Sequence, residues 1–173
     1  MVTFFVDEME SPLGTITIVA TERGLCHLRF GRLESCIASL LASFKMERRL
    51  GDVIRSPEKL FSIRQQLEQY FARKRFSFDV PLDVTGTAFQ RKVWNAVSKI
   101  DYGKTRSYKE IAIEIGAPKA VRAVGGANNR NPIPIIIPCH RVIGSNGNMV
   151  GYGGGLERKE MLLRLEGALK RTS

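Results

Sequence analysis

The chain has few cysteines, few histidines and no long apolar run. Its 173 residues include three cysteines (Cys26, Cys36 and Cys139) and two histidines. Three cysteines without framework spacing predict reduced thiols and a cytoplasmic protein. No stretch approaches the roughly 20 apolar residues of a membrane span, and the N-terminus lacks the basic segment of a signal peptide. We therefore expect neither a disulfide-stapled secreted domain nor a membrane partner.

Acidic residues are scarce in the second half of the chain, and this makes the protein basic. The formal net charge is +10, with 12 Lys/Arg against 11 Asp/Glu in residues 1–83 and 15 against 6 in residues 84–173. A positive charge concentrated in one half favours a phosphate backbone as the partner of that half. At 173 residues, the chain is long enough for one globular domain or two small ones. Its content of hydrophobic residues, 43%, is typical of a globular protein.

The periodicity of residues 1–83 predicts a small α/β domain. Residues 15–20 alternate between apolar and polar, a glycine-containing turn follows, and residues 25–30 resume as a second strand, which indicates a hairpin. Residues 56–73 are predicted to form a helix, because a serine cap precedes a proline at the first helical position. Residues 33–48 have helical spacing, and the side chains expected on one face are Leu33, Ile37, Leu40, Leu41 and Phe44.

Residues 84–173 are predicted to form a mainly α-helical domain that contains a helix-turn-helix. Capping boxes at Thr87 and Ser107 begin two helices, and the second of these is expected to end at Gly116. A third helix is predicted over residues 119–128. The succession of helix, short glycine-containing turn and helix is the outline of a helix-turn-helix motif.

The third of these helices has unusually small side chains for a helix that reads bases. Alanine, glycine and valine fill most of it, and Arg122 is the long cation in its middle. Small residues let a backbone approach closely, so this helix suits a minor groove, with Arg122 as a wedge or a phosphate contact. The alternative is a packed internal helix whose arginine is merely solvated.

Cys139 lies beside His140 at the end of an apolar run, within the basic half. Residues 135–137 are β-branched, so we expect a buried strand that ends at Cys139. His140, Arg141 and nearby helix termini are able to stabilise a thiolate at this position. The alternative is a buried structural cysteine, which is the state expected of the other two cysteines.

A histidine next to a cysteine needs help to act as its base. On an extended strand the side chains of Cys139 and His140 would point apart, so a bridging water or a local turn is needed. A carboxylate can orient the imidazole. Glu166 is the candidate because of its semi-apolar setting, while Glu157 and Glu160 stay open as alternatives.

The segment Pro138-Cys139-His140-Arg141-Val142 is the centre of a larger pattern. Around it stand Ser11-Pro12-Leu13-Gly14, Gly86-Thr87-Ala88-Phe89-Gln90, Gly103 with Ser107-Tyr108, Arg122-Ala123-Val124-Gly125-Gly126-Ala127, Asn131-Pro132, Tyr152 with Gly154-Gly155-Leu156, and Lys159-Glu160 to Glu166-Gly167. With these motifs the chain resembles the O6-alkylguanine-DNA alkyltransferases (methylated-DNA–protein-cysteine methyltransferases). The resemblance covers nearly the whole chain and is densest from residue 86 to 167.

The resemblance implies both a fold and an activity. The fold is a ribonuclease-H-like α/β domain followed by a mainly α-helical, winged-helix-like domain with a helix-turn-helix. The activity is DNA repair by irreversible transfer of an alkyl group to Cys139 from O6-alkylguanine, and from O4-alkylthymine, in flipped-out duplex DNA. The base must leave the stack before sulfur can attack. Each molecule would react once, with no cofactor.

The resemblance implies a role for each residue of the reaction. Cys139 would be the nucleophile, and His140 would act as its general base through a water, held by Glu166. Asn131 would hold the loop that carries the site. Tyr108 would protonate or hydrogen-bond the departing guanine at N3 and help to rotate the nucleotide.

A base pocket is implied as well. The carbonyl groups of Cys139 and Val142 would accept hydrogen bonds from the guanine amine, and the N–H of Gly153 would meet O6. Gly154 lacks the bulky side chain of some relatives, which predicts a pocket open to larger alkyl or benzyl groups. The alkyl pocket would be lined by Pro134 and Tyr152.

The implied partner is double-stranded DNA, bound through its minor groove by a monomer. Arg122 would fill the stack that the flipped base vacates. Arg130 precedes Asn131 where relatives vary, and it would add a phosphate contact. The other residues expected at the DNA are Tyr108, Ala123 and Gly125.

Departures from the pattern leave some alternatives to weigh. Some relatives bind a structural zinc through Cys and His, but Cys26, His27 and Cys36 have no recognisable ligand spacing, so we expect no metal. A thiol hydrolase would need a histidine facing Cys139, and His27 belongs to the other half. A helix-turn-helix protein that binds DNA or lesions without repairing them is the other alternative. A bifunctional repair activator would need an extra N-terminal domain.

Overall fold

The computed structural model describes residues 1–147 and 151–169, and the chain divides into two compact units. The first comprises residues 1–85 and the second residues 86–173. Among the helices of the described ranges, none is long and apolar enough to cross a membrane.

The first unit is built on a four-stranded sheet. Its strands are β1 (Phe4–Ser11), β2 (Gly14–Thr21), β3 (Gly24–Phe30) and β4 (Val53–Arg55). The order is β3-β2-β1-β4, with antiparallel pairs except for β1 and β4, which are parallel. The pairing of β2 with β3 confirms the predicted hairpin.

Two helices, α1 (Leu33–Met46) and α2 (Phe61–Phe71), complete the first unit. Helix α1 buries Cys36, Leu40 and Phe44, and the ring of Phe44 stacks on Phe4 with centroids 3.8 Å apart. The prediction that Leu41 shares the buried face is wrong, because its side chain is 49% exposed. The buried stripe follows the i, i+4 row from Cys36, and Leu41 lies about 100° round the helix from Leu40.

Helix α2 begins at Phe61 rather than at the predicted serine cap. Ser56 donates its backbone N–H to the carbonyl of Val6 at 2.9 Å, which holds this residue beside the sheet. Its hydroxyl accepts a long hydrogen bond of 3.4 Å from the N–H of Lys59. The serine therefore closes a turn, and the helix starts one turn later.

The second unit is mainly α-helical. Its elements are α3 (Ala88–Ser98), β5 (Arg106–Ser107), α4 (Tyr108–Glu114), α5 (Val121–Asn129), β6 (Val142–Ile143) and α6 (Leu156–Leu165). The two short strands β5 and β6 pair in parallel. The capping box at Thr87 is confirmed, since its hydroxyl accepts from the Gln90 N–H and the Gln90 side chain accepts from the Thr87 N–H. Ser107 caps α4 through the N–H of Glu110.

The strand predicted over residues 135–137 is wrong, because this segment folds back as a buried turn. Ile135 has a left-handed backbone with φ of 75°, and the N–H of Ile137 donates to the carbonyl of Ile133 at 2.9 Å. The Asn131 side chain takes backbone groups that a strand would need: its Oδ1 accepts from Ile133 N–H and its Nδ2 donates to the Ile137 carbonyl. Two flanking prolines cannot donate at all.

Candidate active site

The buried turn of residues 133–137 leads directly into a 3₁₀ helix, Cys139–Arg141, of which Cys139 is the first residue. Cys139 is 4% exposed and His140 is fully buried. A 3₁₀ helix has three residues per turn, so neighbouring side chains are about 120° apart. The backbone at Cys139 and His140 is therefore a local turn rather than an extended strand. This turn still points the two side chains in different directions.

His140 is held by Glu166, at the end of α6. The Nε2 atom of His140 lies 2.7 Å from Oε2 of Glu166, and both side chains are fully buried. Of the three glutamates that the sequence left open, the structure places Glu166 at the imidazole. Since Glu166 is a carboxylate, Nε2 carries the proton, and Nδ1 has no hydrogen-bond partner among the described residues.

Arg141 binds the same carboxylate, which the sequence did not indicate. Its Nε lies 2.8 Å from Oε1 of Glu166 and its Nη2 3.0 Å from Oε2. A third hydrogen bond of 2.6 Å runs from Nη1 to the carbonyl of Ile100. The Arg141 guanidinium therefore binds Glu166. The sequence had predicted that Arg141 stabilises a Cys139 thiolate directly, and the structure does not place it there.

Burial sets the protonation states of these groups. It raises the pKa of the Cys139 thiol to about 11, against opposing effects of the Asn131 amide and the Lys159 ammonium. Burial also lowers the pKa of His140, although the bond to Glu166 acts the other way. Burial works against the charged form of Glu166, yet the bonds from His140 and Arg141 lower its pKa to about 2. At neutral pH the site holds a thiol, a neutral imidazole and a carboxylate.

Lys159 is a buried member of the site that sequence reasoning missed. Its side chain is fully buried, and Nζ donates to the carbonyls of Val142 at 2.5 Å and Gly151 at 3.3 Å. Burial lowers its pKa to about 8, although the neighbouring Cys139 raises it. The available signal was its spacing in α6, where it shares a face with Leu162 and Leu163.

Tyr108 begins α4 and points its hydroxyl at the glycine-rich loop, residues 151–155. The hydroxyl donates to the carbonyl of Gly151 at 3.2 Å, and the Lys159 Nζ lies 5.7 Å from the centre of its ring. Burial raises the pKa of Tyr108. The loop, Lys159 and Tyr108 are thus brought together beside the carbonyl of Val142.

The remaining residues predicted to line the base pocket lie between residues 151 and 155 or on the buried turn. Tyr152 is buried, and burial raises the pKa of its hydroxyl well above its ordinary range. A Cβ at Gly153 would lie 3.1 Å from the carbonyl oxygen of Asn129, so the loop passes close to the end of α5. The carbonyl of Gly154 accepts from Arg158 at 3.0 Å, and Pro134 is half-buried in the turn before Cys139.

Helix α5 has one exposed face and one buried face. Arg122, Ala123 and Arg130, which caps its end, are exposed, and Gly125 is half-buried. The buried face is fixed by Trp94, whose indole N–H donates to the carbonyl of Ala127 at 2.8 Å. Four of the residues expected at the DNA, Arg122, Ala123, Gly125 and Arg130, therefore lie on a helix whose opposite face is packed, while Tyr108 belongs to α4.

The other cysteines and the second histidine are packed in the first unit. Cys26 and Cys36 belong to the buried core cluster of this unit, and burial raises the pKa of Cys26 to about 12. His27 lies 3.0 Å from Glu47, atom Nε2 to Oε1. Among residues 1–147 and 151–169, no group of three potential ligands is arranged to hold a metal ion.

Comparisons with known proteins agree with this architecture. Residues 6–84 match the 6-O-methylguanine DNA methyltransferase ribonuclease-like domain, and residues 88–168 match the DNA binding domain of the same protein. A methylated-DNA–protein-cysteine methyltransferase of Methanosarcina barkeri is 48% identical over 165 residues, which is 94% of this chain and 96% of that relative. One of Methanosarcina acetivorans is 50% identical over 160 residues, covering 92% and 96%.

Solved structures show the same likeness. The crystal structure of Mycobacterium tuberculosis O6-methylguanine methyltransferase has a TM-score of 0.81 and 43% identity, covering 100% of this chain and 97% of that one. The crystal structure of Mycobacterium tuberculosis OGT in complex with DNA has a TM-score of 0.80 and 42% identity, covering 96% and 93%. Fold and site together define a DNA-binding alkyl-acceptor protein. The chain belongs to the methylated-DNA–protein-cysteine methyltransferase family, whose members repair DNA by direct reversal.

Proposed function

We propose that this protein transfers an alkyl group, methyl above all, from O6 of guanine or O4 of thymine in duplex DNA to Sγ of Cys139. The observation that carries this is a buried cysteine followed by a histidine–glutamate pair, in the DNA-binding unit of a member of this family. A thioether has no easy leaving route, so each molecule reacts once. Transfer of a labelled methyl group from a modified duplex to the protein, ending at one per molecule, tests the proposal.

The proposed reaction balances without a cofactor. The bond from O6 to the alkyl carbon breaks as the bond from Sγ to that carbon forms. The thiol proton of Cys139 passes through a water to Nδ1 of His140, and Tyr108 gives its proton to N3 of the departing guanine. The proton on His140 then returns to Tyr108 through solvent. Asn131 holds the turn that carries the nucleophile.

Glu166 makes this proton transfer favourable. Its carboxylate fixes the tautomer of His140 that leaves Nδ1 able to accept, and it stabilises the imidazolium that forms. The bonds from Arg141 keep the carboxylate ionised and in place. The base is therefore prepared before DNA arrives.

The base pocket is assigned to the loop and the turn around Cys139. The amine of guanine is read by the carbonyls of Cys139 and Val142, and O6 by the N–H of Gly153. A carbonyl oxygen has two lone pairs, so the amine shares the Val142 oxygen with Lys159. The alkyl group is received between Pro134 and Tyr152.

DNA is bound through its minor groove, by the exposed face of α5. Arg122 fills the vacated stack, Ala123 and Gly125 allow the backbone to approach closely, and Arg130 contacts a phosphate. We also propose that the protein is a monomer and that it works in the cytoplasm; the three free cysteines support the second of these.

Replacing Arg122 with alanine is expected to slow repair of O6-methylguanine in duplex DNA by at least about tenfold, because the vacated stack is no longer filled. Reaction with free O6-methylguanine should change less than about twofold, since no base is flipped. Single-turnover rates on both substrates measure this. The matched control is Arg91→Ala, which removes an exposed arginine of α3. Equal losses of rate on both substrates would contradict the role of Arg122 in filling the stack.

Free O6-benzylguanine is expected to inactivate the protein and leave a benzyl group on Cys139. The reason is that Gly154 presents no side chain to the pocket. Gly154→Trp should slow the benzyl reaction at least about tenfold more than the methyl reaction, because a large side chain fills the space. Protein mass after incubation measures both, and full activity left after excess benzylguanine would count against an open pocket.

A further inference from the structure

Asn128 is a buried amide at the junction of α5 and the nucleophile. Its side chain is 1% exposed, and its Nδ2 donates to the carbonyl of Cys139 at 3.2 Å. Its Oδ1 has no hydrogen-bond partner among the residues that the structure describes. Burying an unsatisfied acceptor costs stability, so the amide at this position needs an explanation beyond packing.

The ring of Tyr108, the first residue of α4, lies against the same part of α5. A Cβ at Gly125 would lie 3.9 Å from Cδ1 and Cε1 of the Tyr108 ring, and Gly125 shares a helix face with Asn128, three residues later. A hydrogen bond with the Asn128 side chain lowers the pKa of Tyr108, against the larger effect of burial, which raises it. Asn128 therefore stands between the backbone of the nucleophile and the hydroxyl of the tyrosine.

We propose that Asn128 is a positioning residue for proton donation by Tyr108. The Nδ2 atom carries two hydrogens, of which one is donated to the carbonyl of Cys139. The other meets the Tyr108 oxygen and stabilises the phenolate that forms when Tyr108 gives its proton to guanine N3. Hydrogen bonds to an ionised acceptor are roughly twice as strong as neutral ones. This inference rests on the proposed function, in which Tyr108 protonates the leaving base.

A positioning role predicts a pattern that a structural role does not. Asn128→Leu keeps the approximate size of the side chain and removes its donors. It should slow methyl transfer from O6-methylguanine in duplex DNA by about tenfold or more, the size expected for a lost hydrogen bond to a charged group. In a Tyr108→Phe background the same substitution should cost less than about twofold, since there is no proton to donate.

A second substrate makes the test independent of folding. 3-Deaza-O6-methylguanine has no N3 to accept a proton, so Asn128→Leu should react with it at nearly the wild-type rate. The ratio of rates on the two bases is measured within one protein sample, so a smaller folded fraction cancels. Asn95→Leu, at an exposed asparagine of α3, is the control and should leave the ratio unchanged.

The outcomes separate this inference from the proposed function. Equal slowing by Asn128→Leu on both bases, or in both tyrosine backgrounds, overturns the positioning role and leaves the alkyl transfer itself standing. A wild-type protein that reacts equally with both bases overturns proton donation by Tyr108, and the role of Asn128 with it. The proposal is supported if Asn128→Leu changes the ratio of the rates on O6-methylguanine and 3-deaza-O6-methylguanine while Asn95→Leu leaves that ratio unchanged.

Discussion

Cys139→Ser is expected to abolish alkyl transfer, by at least about a thousandfold, while duplex binding and fold are retained. A serine hydroxyl is a far weaker acid and nucleophile than a thiol, and the buried site that raises the pKa of Cys139 would disfavour an alkoxide even more. Sulfur and oxygen differ little in size, and the surface of α5 is unchanged. The loss of transfer is measured by single-turnover rates with an O6-methylguanine duplex, and the retained binding is measured with the same duplex.

Cys26→Ser and Cys36→Ser are the matched controls, because both thiols lie in the core of the first unit. They are expected to lower stability and to leave transfer by the folded protein within about twofold of wild type. Retention of transfer by Cys139→Ser, with loss in either control, would contradict the assignment of the acceptor.

Glu166→Gln is expected to reduce the free energy of unfolding by about 3–5 kcal/mol, because it leaves the Arg141 guanidinium buried without its carboxylate. Transfer by the folded protein should also fall at least about tenfold, since an amide neither fixes His140 nor stabilises the imidazolium. Denaturant unfolding and single-turnover rates measure the two effects. Glu160→Gln, which breaks the partly exposed pair with Arg164, should cost less than about 1 kcal/mol.

The stability effect of Glu166 should depend on pH. Its pKa lies at about 2 in the folded protein, below its ordinary value of 4.5, so its stabilising effect is present above pH 4.5. That effect is lost as the pH falls from 4.5 towards 2, because the unfolded chain takes up the proton first. The difference between wild type and Glu166→Gln should therefore shrink over this range. A difference that stays constant from pH 7 to pH 3 would contradict the carboxylate's role.

Local patterns predicted much of the molecule. The hairpin β2–β3, the caps at Thr87 and Ser107 and the helix pair α4 and α5 depend on neighbouring residues, and all appear in the structure. The family was visible in the motif around Cys139. The residues alone favoured Glu166 through its semi-apolar setting, and the family resemblance implied the same glutamate. The structure places it at His140, at the C-terminal end of α6.

The parts that the sequence did not predict depend on contacts between distant segments. Residues 135–137 have β-branched side chains, yet the Asn131 amide captures backbone groups at both ends and turns the segment back. Lys159 looks like an ordinary surface cation, and only the carbonyls of Val142 and Gly151 explain its burial. Arg141 likewise needs Glu166, 25 residues away, to reveal its role.

The most direct test is the mass of the protein and of its Cys139 peptide after mixing with a duplex that contains O6-methylguanine. We expect a single added methyl group, located on Cys139, saturating at one per protein and absent from Cys139→Ala. An unmodified protein that still binds the duplex would contradict the account and would indicate a lesion-binding protein without repair activity.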